Sequence, residues 1–348
     1  MQSRVTHQVR FTGDARTYFG IWIVNLLLSI VTLGIYSAWA KVRTARYFSQ
    51  NTLIDERRFD YHATGRQILI GRIIVILGII VLSIPLLNFV AILALLFALP
   101  WLLNRSLAFN ARMTSFSGLR FGFDGRYGRS FLVFMLYPFL AALTLFLAYP
   151  FAVRAKHRYV VGAHRFGTAR FGFDGPIGPF YKAMLYAILW SVGIIIVGFF
   201  ALGGMTLLQD LFLTVQYGVE PPSSMFIRMM LMYVLLIVAI LPGAFIYQAY
   251  LRNTVYSNMS LEGGHRFVST VSPMQLMWIA LSNAVVTVLT LALMYPWARI
   301  RMARYMAAST KMIAAGPLDD FIGREESRVT AIGDAYTDIE GIDLGLAI

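Results

Sequence analysis

The sequence predicts a polytopic, mainly α-helical membrane protein: a helical bundle with internal repeats and short β-hairpin elements at the cytoplasmic face. Three observations predict it. The 348 residues are 58% hydrophobic and only 14% charged, with a mean hydropathy of +0.66, whereas a soluble domain carries roughly 25% charged residues. Apolar segments approaching the ~20 residues of a membrane crossing recur along the chain. Finally, Asn25–Tyr47 returns without a gap as Asn283–Tyr305.

In that pair Asn25, Thr32, Leu33, Trp39, Ala40, Arg43, Ala45, Arg46 and Tyr47 are matched by Asn283, Thr290, Leu291, Trp297, Ala298, Arg301, Ala303, Arg304 and Tyr305. A weaker copy keeps Thr144, Leu145, Ala152, Arg158 and Tyr159, with Phe151 in place of Trp. Each copy is an apolar segment that passes through an aromatic-Ala step into a basic stretch ending in Tyr. Such a pattern describes a membrane helix handing over to a charged surface element.

The elements follow in order. Apolar segments lie near 18–39, 68–83, 89–103, 131–151, 183–202, 229–250 and 276–297. The second and third are short, and the break at Pro85–Asn88 predicts a tight helical hairpin. Between the segments, Arg58-Phe59, Arg120-Phe121 and Arg170-Phe171 stand 12 residues after Tyr47, Phe109 and Tyr159. Two of these continue as Phe-Gly-Phe-Asp-Gly, at 121–125 and 171–175. Alternating aromatics closed by Asp-Gly predict a short strand with a turn, and the runs at 162–166 and 263–267 predict further hairpin tips. Residues 1–312 then form a single repeat-built transmembrane domain. Residues 313–348, with eight acids and two bases, are expected to form an acidic, loosely ordered tail.

Removing that tail leaves 28 of the 30 bases and 9 of the 17 acids, a balance of +19. These bases flank apolar segments, which points to anionic lipid headgroups as partners and away from nucleic acid. With no cysteine, disulfides, thiolate metal sites and cysteine nucleophiles are excluded. The N-terminal apolar stretch has no small-residue cleavage site and is read as a retained membrane segment.

Charge placement leaves two topologies open. Seven alternating spans, with the N-terminus outside, put 19 bases inside and 11 outside, but strand six bases of the 154–182 connection outside. The alternative keeps every basic unit inside. Segments two and three, and five and six, then form spanning hairpins, while one, four and seven enter and leave on one face. The base-free stretch 203–225 favours the second arrangement.

Ionisable groups are nearly absent from the apolar cores, so no catalytic constellation emerges, and the chain is expected not to be an enzyme. Neither a cofactor nor a metal site is predicted; the histidines lack ligand spacing, and Asp124 and Asp174 read as turn residues. Two sets of side chains stand out. Asn25 and Asn283, at equivalent depth in their copies, are candidates to mark a polar path between repeated helices. Trp39, Lys41, Arg43 and Arg46, Arg154, Lys156 and Arg158, and Trp297, Arg299, Arg301 and Arg304 are candidates to contact lipid headgroups at the interface, as bases beside an interfacial aromatic do.

The runs Phe11-Thr12-Gly13, Tyr18-Phe19, Ile21-Trp22 with Asn25, Thr32 to Arg43, Arg46-Tyr47-Phe48 and Tyr295 to Arg299 resemble the YjgN-like family of bacterial inner-membrane proteins. The resemblance extends from about Phe11 to Phe321. It implies a multi-pass protein of the bacterial cytoplasmic membrane, and it implies no activity, since the family is a domain of unknown function. The functional expectation is a transporter- or channel-like protein. The alternative is a non-catalytic scaffold that binds lipid or a protein partner through basic-aromatic cytoplasmic platforms.

Overall fold

In a computed structural model, the backbone of residues 4–343 is described, with the side chains of 4–85 and 87–331. The chain forms two compact units: Met1–Gly175 with Val255–Thr270 and Ser282–Ile348, and Pro176–Thr254 with Val271–Leu281.

The first unit is organised by a feature that the sequence shows only in fragments. The short strands do not remain separate hairpins; ten of them close into one antiparallel barrel. The chain alternates between barrel hairpins and helical excursions. From β1 (Val5–Phe11) it runs through α1 (Ala15–Val31) and α2 (Ser37–Gln50) to β2 (Thr52–Ile54) and β3 (Arg57–Tyr61). Next come α3 (Gly65–Leu82) and α4 (Pro85–Met113), then β4 (Thr114–Phe116) and β5 (Leu119–Phe123). The third excursion is α5 (Tyr127–Phe131), a π-helical turn at Leu132–Leu136, α6 (Tyr137–Leu143) and α7 (Tyr149–Ala163), leading to β6 (His164–Phe166) and β7 (Ala169–Phe173). The fourth is α8 (Gly178–Ala201), α9 (Gly204–Tyr217) and α10 (Ser223–Ser257), leading to β8 (Met259–Leu261) and β9 (His265–Ser269). The last is α11 (Pro273–Leu289) and α12 (Tyr295–Ala308), leading to β10 (Thr310–Ala314) and α13 (Leu318–Asp343).

The two strands that bracket each excursion are hydrogen-bonded neighbours. β1 pairs with β2, β3 with β4, β5 with β6, β7 with β8, and β9 with β10. Closure comes from β1 against β10, in the register Val5 to Ala314 and Gln8 to Lys311. Every excursion therefore ends beside the strand from which it left.

Strand alternation explains the Arg-Phe pairs. Successive side chains point to opposite faces, so Arg58, Arg120, Arg170 and Arg266 are exposed, while Phe59, Phe121, Phe171 and Phe267 turn inward against the barrel core. These four rings form a ladder, with centroids 6.3, 6.4 and 6.1 Å apart. Ile54, Phe116, Phe166, Leu261 and Met312 fill the rest of the interior, as side chains do in small barrels. Leu318, Phe321 and Ile322, from the start of α13, belong to the same cluster.

The boundary expected at residue 312 thus falls inside β10, and the segment expected as a loosely ordered tail supplies, over its described residues, a barrel strand and a helix; residues 344–348 lie outside the described residues. The reason is local: Leu318, Phe321 and Ile322 lie at helical spacing on one buried face, while Asp319, Asp320 and Glu326 are exposed. The Asp-Gly steps also differ from expectation. Asp124-Gly125 and Asp174-Gly175 join a strand to a helix, and the hairpin turns lie elsewhere, at Ser117-Gly118, Gly167-Thr168 and Glu262-Gly264. Glycine is needed at these junctions because the chain passes beneath the aromatic two residues earlier. A Cβ on Gly125 would run into the ring of Phe123, and one on Gly175 into that of Phe173. The run at 162–166 is no hairpin tip: Gly162 and Ala163 end α7, and His164 starts β6. The tip expected at Gly263-Gly264 is present.

Four helices are long and apolar enough to cross a membrane: Gly65–Leu82, Leu87–Met113, Gly178–Ala201 and Ser223–Ser257. Their large side chains are mostly exposed, among them Ile74, Phe89, Val197 and Met230, which is the surface expected of helices in lipid. Segments 18–39, 131–151 and 276–297 are not single helices. Each breaks at a turn, at residues 32–36, 144–148 and 290–294. In all three the same backbone recurs, with left-handed residues at Leu33 and Gly34, Leu145 and Phe146, Leu291 and Ala292. A Thr hydroxyl accepts from the fourth residue on, in Tyr36 N to Thr32, Ala148 N to Thr144 and Met294 N to Thr290. The tips are bare leucines, Leu33 94%, Leu145 86% and Leu291 89% exposed.

In the second unit, α8 and α10 approach closely where Gly243 faces Ser191 and Ala187, and Ser191 donates to the Ala239 carbonyl. Small residues permit such contact in apolar helices. Arg228 and Asp210 form an ion pair.

Candidate functional site

The basic helices that return to the barrel are α2, α7 and α12, and most of their arginines have structural partners. Arg46 Nε donates to the Tyr61 carbonyl at 3.3 Å, Arg154 Nε to Gly175 at 2.6 Å, and Arg304 Nη2 to Gly13 at 2.8 Å. In each case the acceptor lies where a strand gives way to the next helix. These bases brace one excursion against the foot of another, satisfying carbonyls that would otherwise lack a partner.

Arg301 is tied more tightly. Its Nη1 donates to Ser282 Oγ at 2.7 Å and to Asn283 Oδ1 at 3.1 Å, and its guanidinium lies 5.2 Å from the Trp297 ring centre. Arg43, its counterpart, donates to the Tyr36 hydroxyl at 3.0 Å. Arg299 stacks over Phe48 at 5.2 Å. Trp39 packs on the start of α3, where Gly65 leaves room for its ring. Lys41, Lys156 and Arg158 are exposed and have no hydrogen-bond or ion-pair partner among the described residues.

Asn25 and Asn283 are both buried, at 5% and 7% exposure, but they are not equivalent. Asn283 Nδ2 donates to the Ala298 carbonyl at 3.0 Å while its oxygen accepts from Arg301. Neither polar atom of the Asn25 amide has a partner among the described residues.

Two features escaped the sequence reading. The first is Glu325, only 1% exposed, which holds α13 to the β6–β7 turn. Its Oε2 accepts from Thr168 N at 2.9 Å, Thr168 Oγ1 at 2.6 Å and Ala169 N at 2.9 Å, and its Oε1 accepts from Arg328 at 2.9 Å. Burial alone would raise its pKa, but the donors from Thr168 and Ala169, with Arg328, leave it below the usual carboxylate value. Arg57 and Asp319 form a second ion pair at this end of the barrel. His265 packs at a tilt against Phe321, ring centres 4.3 Å apart, and accepts from Ala315 N at 3.3 Å. Burial, and next the charge of Arg324, push its pKa down. The second feature is a cavity of about 480 Å³ where β5, α5, α7 and β7 meet, lined by Arg126, Arg129, Arg158 and Arg170. Its sequence signal was Arg126, which stands where the first excursion has Asp14: Tyr47 bonds the Asp14 backbone, as Tyr159 bonds the Arg126 carbonyl. No group of three His, Asp or Glu among the described residues could hold a metal ion.

Lipid-facing helices joined through one barrel define a multi-pass membrane protein. Over residues 6–339 the chain matches the family described as "Bacterial protein of unknown function (DUF898)", and it belongs to that family. It is similar to the inner membrane protein YjgN of Salmonella typhimurium, 38% identical over 124 residues, covering 34% of this chain and 31% of the relative. It is also similar to YjgN of Escherichia coli K12, 35% identical over 125 residues, with the same coverage. The matched stretch thus spans about a third of each relative's length. No solved structure matches the chain. With four candidate spans and relatives named as inner membrane proteins, the chain is a multi-pass protein of the bacterial inner membrane. Its molecular activity is unknown.

Proposed function

We propose that the chain is a non-catalytic membrane scaffold, built by internal duplication, whose barrel lies on the cytoplasmic surface and binds anionic lipid through its basic rim. The carrying observation is the return of each helical excursion to its own barrel neighbour, which keeps the bases of all the connections on one side. The three excursions with turn tips at Leu33, Leu145 and Leu291 then dip into the bilayer and come back, while α3–α4 and α8–α10 cross it. An interior filled by Phe59, Phe116, Phe121 and Phe166 suits a rigid platform better than a conduit. Lys41 and Lys156, exposed and unpaired, are the side chains free to meet headgroups, each base contributing ~1 kcal/mol near an anionic leaflet.

The test is binding of the purified protein to anionic lipid vesicles. Lys41→Gln with Lys156→Gln should weaken it at low salt and matter little near 1 M salt, where screening acts over ~3 Å. Equal binding by the variant at low salt would overturn the headgroup role.

One observation favours the transport reading: the buried amide of Asn25, without a protein partner among the described residues, is a polar group that a passing solute would satisfy. Asn25→Cys in this cysteine-free chain should then react with a small, charged thiol reagent in intact membranes. Protection from that reagent would remove this support.

A further inference from the structure

The cavity at the foot of the third excursion has a charge balance that the rest of the fold does not explain. Arg126 and Arg129 come from the start of α5, Arg158 from α7 and Arg170 from β7, and all four line the same space of about 480 Å³. The one acid in its lining, Asp124, is already engaged by Arg165 at 3.3 Å. None of the four lining guanidinium groups has a hydrogen-bond or ion-pair partner among the described residues. Elsewhere in this fold, Arg46, Arg154 and Arg304 are held by junction carbonyls. The four guanidinium groups are exposed, and together they make a positive concavity that favours an anion.

Where β1 and β3 feed a helix, Asp14 and Thr64 cap it, accepting from Thr17 N and Gln67 N; at the corresponding place after β5 stands Arg126, which makes no side-chain cap, as Ile177 makes none after β7.

The floor is open. A Cβ on Gly162, in the lining, would meet nothing within 4 Å. Guanidinium forks match tetrahedral oxyanions by paired N–H donors, and the volume admits a phosphate carrying a substituent.

We propose that this cavity is a phosphate-binding site, taking a phosphomonoester from either a lipid headgroup or solution. The lipid source rests on the anionic-membrane reading above; the site itself does not.

The experiment uses the full chain in phosphatidylcholine nanodiscs, with inorganic phosphate added to the buffer or phosphatidic acid added to the bilayer. Binding is read as the rise in thermal unfolding midpoint with ligand concentration. Two cavity variants are compared with the wild type: Arg129→Gln with Arg170→Gln, which removes charge, and Gly162→Leu, which fills the space and keeps the charge. Lys41→Gln with Lys156→Gln serves as the control outside the cavity. The wild type and the control should be stabilised by at least one ligand, and both cavity variants should bind it roughly tenfold or more weakly. A response to inorganic phosphate identifies a soluble ligand; a response to phosphatidic acid alone identifies a headgroup. No stabilisation of the wild type by either ligand, or equal stabilisation of wild type and Gly162→Leu, would overturn the site. If the lysine changes abolish vesicle binding while the cavity variants respond as wild type, the scaffold reading stands and this inference falls. If the lysine changes leave vesicle binding intact while the cavity variants lose their response, the scaffold reading falls and the site stands.

Discussion

At the residue scale, identity in sequence did not bring identity in environment. Asn25 and Asn283 align, yet only Asn283 has partners, in Arg301 and the Ala298 carbonyl. Their substitutions should therefore differ in sign. Asn283→Leu removes two hydrogen bonds and leaves Arg301 with Ser282 and the Trp297 ring; we expect a loss of about 1–3 kcal/mol. Asn25→Leu replaces a buried amide without a partner and should be neutral or stabilising. Thermal unfolding of both variants in detergent decides this, and equal losses would show that Asn25 has a partner after all. The same asymmetry explains why the sequence could single out the pair but not their roles. The recurrence aligned the asparagines, while the partner of Asn283 is set by a residue 18 positions on, whose counterpart Arg43 turns to Tyr36 instead.

At the scale of elements, what was legible depended on how local its cause was. The Arg-Phe alternation was visible because strand geometry repeats every second residue, and the four long apolar helices because lipid demands length. Barrel closure was not visible: strands of three to seven residues carry little pattern, and β1 meets β10 across some three hundred positions. Composition misled at the C-terminus, where acids suggested disorder while Leu318, Phe321 and Ile322 carried a helical stripe. That element should be sensitive to acid. His265 has its pKa lowered in the fold from 6.5, so below that value the unfolded chain takes up a proton that the folded chain resists, and stability falls. Glu325 has its pKa lowered from 4.5, so its contribution is complete above 4.5 and is lost as the pH falls through its folded value. Both effects loosen α13 as acidity rises, His265 first. Hydrogen exchange of amides at 318–328 should speed up between pH 7 and about 5, after correction for intrinsic rates, and His265→Phe should remove that early phase. Glu325→Gln should destabilise the chain by about 1–3 kcal/mol even at neutral pH, since the Thr168 and Ala169 donors and Arg328 lose a charged acceptor. Unchanged exchange at 318–328 in Glu325→Gln would mean that the Thr168 and Ala169 contacts do not hold the helix.

At the scale of the whole molecule, charge counting left two topologies, and strand pairing discriminates between them. Under strict alternation of seven spans, α1 and α2 together carry the chain across the membrane, which would place β1 and β2 on opposite sides. They are hydrogen-bonded through Val9–Ile54 and Phe11–Thr52, as are the strands flanking α5–α7 and α11–α12. Two ladder-bonded strands cannot lie on opposite faces of a bilayer some 30 Å thick. Under the cytoplasmic-platform reading proposed above, the membrane crossings come in pairs, α3 with α4 and α8 with α10. The stretch from 203 to 225 lacks bases, which by the positive-inside rule suits the non-cytoplasmic side. Single cysteines in this cysteine-free chain test it directly. Ser260→Cys, exposed on β8, should be protected from a membrane-impermeant thiol reagent in intact cells and should react once the membrane is opened. Ser223→Cys, at the start of α10, should react in intact cells. Labelling at both positions, or at Ser260 alone, would place the barrel outside or break the pairing of crossings, and the cytoplasmic platform would fall with it.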